Sequence, residues 1–308
     1  GQPISIMARG VGGGDEDSIA SMDKRADLTM KGNNHNLTAN LVTDSDGDYS
    51  KPVDAILSVN NVKLLKGDLN ASEYSRVQLT NVSGYEGTLS GSGVIELNSS
   101  MNLTDKAVFN GDNISIKGGK YEGTYNLQKD VIVDAGTVSV KNFATDLLGP
   151  GILTFDKEGQ LETTADQLFG ANEGNTTLDK DAVTGLPTTV AKAVDDKVHF
   201  IMGSVILDAD NGYTLAYAEK ALEALRKSDS TGTNINDMKL TMKGKILDKS
   251  VTFDTIKQLN QNLVLDSATI DGTTEQNPNL IIKGNDSSIV NTGSTLPIDG
   301  MTHDATVL

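Results

Sequence analysis

The sequence predicts a mainly β protein: an irregular β-solenoid of stacked strand-and-turn units, with a small helical insert. Three observations predict it. A short strand word ending in Lys-Gly recurs along the chain. A second word returns after 36 residues, at Tyr85-Glu86-Gly87-Thr88 and Tyr121-Glu122-Gly123-Thr124. The composition is lean in core residues and rich in turn residues, with 37% hydrophobic, 4% aromatic, no Trp and 31 Gly among 308 residues.

The Lys-Gly word is an apolar residue, a spacer, a second apolar residue, then Lys-Gly. It stands at Leu28–Gly32, Ile114–Gly118, Leu240–Gly244 and Leu280–Gly284, with a looser copy at Val62–Gly67. Alternation of this kind places two side chains on one face of a strand. Gly then permits a corner and Lys points outward. A repeat of about 20–50 residues argues for stacked units, each too small to bury its apolar face alone. On this reading 36 residues span either two rungs or one long one.

Composition also excludes classes of function. The net charge of -16 offers no basic stripe to displace counterions from phosphates, so nucleic acid is excluded as a partner. Anionic membranes are disfavoured for the same reason, and no apolar run approaches the ~18 residues of a membrane span. With no Cys there is no disulfide, no thiolate nucleophile and no Cys-based metal site. The chain opens Gly1-Gln2-Pro3-Ile4, which reads as a processed or cut piece of something longer.

In chain order, residues 1–25 form a flexible or capping segment around the acidic Gly-rich run Gly12–Ser18. Residues 26–161 carry closely spaced alternating runs, among them Val53-Ala55-Leu57, Val77-Leu79, Val94–Leu97, Val131–Val133 and Ile152–Phe155, bounded by Gly, Asn and Asp. Residues 162–236 are mixed. Ala165–Phe169 and Thr188–Val194 tolerate helix, and Val198–Met202 and Ser204–Leu207 return to strand. The spacing of Leu215, Ala218, Leu222 and Leu225 predicts a helix over 214–227, packed on the side of the solenoid or capping it. Glu223 and Lys227 form an i,i+4 pair on it, and Arg226 and Lys227 suit its C-terminal dipole. A weaker helical piece covers Phe253–Leu259. Residues 237–308 resume strands at Met238–Met242, Leu263–Leu265, Leu280–Ile282 and Ile289-Val290, so the middle reads as an insert in one solenoid.

Chemistry-bearing residues are sparse. His35, His199 and His303 are far apart and have no ligand neighbours at metal-binding spacing. Asp44–Asp48 and Asp208–Gly212 approach a calcium loop, but the first has Gly47 too early and Ala55 in the twelfth place, and the second has Tyr213 where Gly belongs. Glu86, Glu122 and Asp134 are the carboxylates that a glycan-cutting solenoid would use, and stacking of the repeat would align Glu86 with Glu122. No catalytic, cofactor-binding or metal-binding residue is assigned, no cofactor is expected, and the chain is read as not an enzyme.

The stretch Tyr85-Glu-Gly-Thr-Leu-Ser-Gly-Ser-Gly-Val-Ile-Glu-Leu97 resembles the rung pattern of bacterial autotransporter passengers and related secreted β-solenoid adhesins. The words at Leu28–Leu37 and Leu280–Ile289 resemble rungs of the pectate-lyase-like right-handed parallel β-helix. The resemblance is one of texture over 26–161 and 237–308, and it carries no catalytic motif. It implies a right-handed parallel β-helix on the cell surface or secreted, associated with the outer membrane. It further implies adhesion or self-association, with a host or bacterial surface protein, a glycan or a second copy as partner. Two alternatives remain: a glycan-active β-helix enzyme or phage tailspike, and a structural surface-layer or appendage subunit.

Overall fold

The computed structural model describes residues 4–10, 26–45, 55–169, 190, 197–227, 238–247, 251–252, 263–270, 280–281, 287–292 and 305–307. The protein is mainly β and its strands pair in parallel. The chain forms two compact units, Gly1–Gly159 and Gln160–Leu308.

In the first unit the pairing register repeats along the chain. Ala55–Lys66 pairs with Ser75–Val82 at an offset of 20 residues, as in Leu57 with Val77. Val77 then pairs with Ile95, Ile95 with Ile114, and Ile114 with Val131. Next to this row runs another, in which Val59 pairs with Leu79, Leu79 with Leu97 and Leu97 with Ile116. From Leu57 and Val59 onward these residues are at most 2% exposed, because alternation sends each second side chain to the same face and parallel register stacks like on like. A second set of strands follows at Leu65 with Tyr85 and Met101 with Tyr121. A third carries Leu69, Leu89, Phe109 and Leu127 in one buried row.

Two of the Lys-Gly words occupy equivalent places in these rows. Leu28 pairs with Leu57 and Met30 with Val59, which puts the copy at 28–32 in the same two rows as Ile114 and Ile116. The expected corner role of Gly is met at Gly67, whose φ is +133°. It is not met at Gly32 or Gly118, where the left-handed residue falls just after the word, at Asn33 (+48°) and Gly119 (+88°).

The opening segment, expected to be flexible or capping, supplies a strand, Ile4–Gly10, paired in parallel with Ala39–Ser45. One short helix, Phe143–Asp146, has no precedent in the apolar pattern. Its signal is the capping residue Asn142, whose side chain accepts from the Ala144 and Thr145 amides.

In the second unit Leu161 pairs with Val205 and Val205 with Leu240, and Leu207 pairs with Met242. All five are fully buried, Leu240 and Met242 being the apolar pair of a Lys-Gly word. The helix Leu215–Lys227 joins two parallel strands, Ser204–Tyr213 and Leu240–Ile246. Its predicted stripe of Leu215, Ala218, Leu222 and Leu225 is buried, together with Ala221 and Ala224. Thr214 caps it by accepting from the Tyr217 amide at 3.1 Å. Ala165–Phe169 is helical, and Phe169 meets Tyr217 edge to face at 6.2 Å. The helix predicted over Phe253–Leu259 and most of Thr188–Val194 lie outside the described residues.

Candidate functional site

The outward face of the first strand column in the first unit holds a groove of about 320 Å³. Its floor is apolar, with Val94 and Ile132, and Ile132 is 47% exposed. Among the described residues only Met202 and Leu247 are large hydrophobics of similar exposure, and the residues flanking Ile132 in its strand, Val131 and Val133, are fully buried. Ile132 is outward because strand parity requires it: its register partner Ser115 is outward too. Asn113, opposite Val94, adds a polar group and donates through Nδ2 to the Ser92 carbonyl at 2.8 Å.

Charged side chains line the rest. Asp134 sits between two lysines, with its Oδ2 2.6 Å from Lys117 Nζ and its Oδ1 3.1 Å from Lys157 Nζ. The Lys117 hydrogen bond, seconded by Lys157, holds the Asp134 carboxyl below the usual carboxylate range. The same contact raises Lys157 above the ordinary lysine value. Asp112 pairs with Lys129. Asp130 Oδ1 accepts from the Ile152 amide at 3.0 Å, and Asp156 Oδ1 accepts from the Lys157 amide at 2.8 Å.

Of the three carboxylates singled out in the sequence, only Asp134 lines this groove. The expected alignment of Glu86 with Glu122 is overturned by the register. Glu86 pairs with Lys66, across which it forms an ion pair of 2.9 Å. Glu122 instead lies opposite Asn102, which lies opposite Gly84. The two copies of the repeat are therefore slid by two residues. Glu122 bonds Lys120 at 2.9 Å. Lysine contacts lower both carboxyls from their ordinary values, from Lys66 for Glu86 and Lys120 for Glu122.

The remaining candidates separate. His35 is exposed in Ala26–Ser45 opposite Val62, and His199 is half-buried in Val198–Phe200. His303 lies outside the described residues, as do Asp46, Gly47 and Asp48 of the first acidic loop. The second acidic stretch, Asp208–Gly212, is not a loop: it lies within the strand Ser204–Tyr213, at a register break between Ala209 and Tyr213. Among the described residues no group of three or more His, Asp or Glu is arranged to hold a metal ion. Among them, too, no helix is long and apolar enough to cross a membrane.

The groove was not read from the sequence, because its parts come from Val94 to Lys157 and meet only through register. The signal available was a set of carboxylates and lysines spaced at roughly the pairing offset, such as Lys117 and Asp134. Comparison with protein-family models, curated proteins and solved structures returns no match.

Proposed function

We propose that the first unit forms a right-handed parallel β-helix of a secreted or surface-bound bacterial protein, which works in adhesion or association by binding and not by catalysis. The repeated parallel register, close to 20 residues per step, supports the β-helix. Right-handedness follows from the strong preference of parallel crossovers for that hand.

The observation that carries the function is the groove over Ile132. An apolar floor ringed by hydrogen-bonding and charged side chains is the usual make-up of a recognition site. The state of Asp134 favours recognition over turnover. A general acid needs a raised pKa, whereas Asp134 is held ionised by Lys117 and Lys157. The ligand on this reading is a glycan of a bacterial or host surface, contacted by side chains on a rigid strand face.

The test is incubation of the chain with a panel of surface glycans, read by calorimetry for binding and by chromatography for products. Binding without products is expected, with loss of binding in Ile132→Asp and an unchanged far-UV circular dichroism spectrum. Turnover of any member of the panel overturns the reading.

A further inference from the structure

We propose that the groove over Ile132 selects a glycan that carries free amino groups over neutral and acidic glycans. This rests on the groove being the binding face and adds the class of ligand. The lining holds four carboxylates, Asp112, Asp130, Asp134 and Asp156, against two lysines, Lys117 and Lys157. Both lysines are engaged by Asp134. Asp130 and Asp156 form no ion pair among the described residues, and each spends one oxygen on a backbone amide. An ionised carboxylate has acceptor capacity for several donors, so each retains room for a ligand ammonium. An acidic glycan would meet Asp130 and Asp156 while Lys117 and Lys157 are held by Asp134, on a chain of net charge -16.

The floor favours a sugar over a basic peptide. Residues Ile114–Ile116 are paired on both sides, to Ile95–Leu97 and to Val131–Val133, so their backbone offers no free edge to which a peptide strand would add. Recognition falls to side chains. Val94 and Ile132 present an apolar surface to the C–H face of a pyranose ring, and Asn113 and Ser115 lie beside it for hydroxyls. Successive strands step by about 4.8 Å, comparable with one sugar unit, so a linear oligosaccharide meets a new row with each residue.

Calorimetry of the whole chain against three oligosaccharides of equal length tests this: chitosan with free amines, chitin with the same backbone N-acetylated, and oligogalacturonate. Chitosan is expected to bind at least about tenfold more tightly than chitin, more weakly as salt rises, and oligogalacturonate not at all. Asp130→Asn with Asp156→Asn keeps both amide contacts. It is expected to lower chitosan affinity about tenfold while chitin binding holds. Equal binding of chitin and chitosan overturns the amine assignment and leaves the groove as a glycan site. Preference for oligogalacturonate overturns the charge argument. Failure of all three to bind overturns the groove reading itself.

Discussion

Asn81 donates through Nδ2 to Oδ1 of Asn61 at 3.1 Å, joining two left-handed corners that lie 20 residues apart. Both asparagines have positive φ, +58° at Asn61 and +54° at Asn81. Asn tolerates this conformation, and the shared hydrogen bond ties one corner to the next. Asn81→Ala is expected to lose about 1–2 kcal/mol of stability, since an ordinary side chain strains in the left-handed region. Asn81→Gly removes the same hydrogen bond without the strain and is expected to lose much less. Urea denaturation of the two variants measures this, and equal losses would show that backbone strain is not the larger effect.

Two adjacent glycines should behave oppositely. A Cβ at Gly118 would meet no atom within 4 Å, whereas one at Gly119 would lie 2.2 Å from the Ser99 carbonyl oxygen, at a φ of +88°. Gly118→Ala is expected to be tolerated. Gly119→Ala is expected to cost at least ~2 kcal/mol, from strain plus displacement of the neighbouring strand. Thermal unfolding of the pair is the check, and a Gly118→Ala variant as unstable as Gly119→Ala would contradict it.

The Leu215–Lys227 helix carries a pH-dependent contact. Hydrogen bonds from Lys220 and then Lys227 draw Glu223 from its ordinary 4.5 to about 2. As pH falls, the unfolded chain takes up this proton first. The stabilisation is therefore complete above pH 4.5 and is lost as pH falls towards about 2. The stability difference between the parent chain and Glu223→Gln should be present at neutral pH and vanish near the lower value. Salt should shrink it, because the side chains are exposed. Thermal melts across that range supply the test, and a difference that grows on acidification would contradict the sign.

Much of the fold was legible because strand parity is a local property. Val77 and Leu79 alternate with Arg76, Gln78 and Thr80, and their burial follows wherever the strands stack. The stripe Leu215, Ala218, Leu222 and Leu225 was equally local, so the helix was legible to within its capping residue Thr214. Register was not. Gly84 and Gly87 lie opposite Asn102 and Ala107, so the second strand holds two more residues between the same rows. The extra residues form the turn at Thr104–Ala107, closed by the Ala107 amide on the Thr104 carbonyl. That turn slides Tyr121-Glu122-Gly123-Thr124 out of line with Tyr85-Glu86-Gly87-Thr88. The groove was hidden for the same reason: whether Lys117 reaches Asp134 depends on turn lengths, which the spacing of apolar residues does not encode.

The stacking register, on which the groove depends, has a direct measurement. The chain has no cysteine, so an introduced pair reports without background. Ser58 and Gln78 are register partners whose side chains meet on the outward face, 3.5 Å apart. Partners on adjacent strands fall within the Cα separation of about 4.4–6.8 Å that a disulfide spans. Ser58→Cys with Gln78→Cys should form a bridge on mild oxidation, read by mass spectrometry of the digested protein. Ser58→Cys with Thr80→Cys, one side-chain position further along the same face, should not. A bridge between 58 and 80 with none between 58 and 78, or no bridge in either protein, would contradict the 20-residue step.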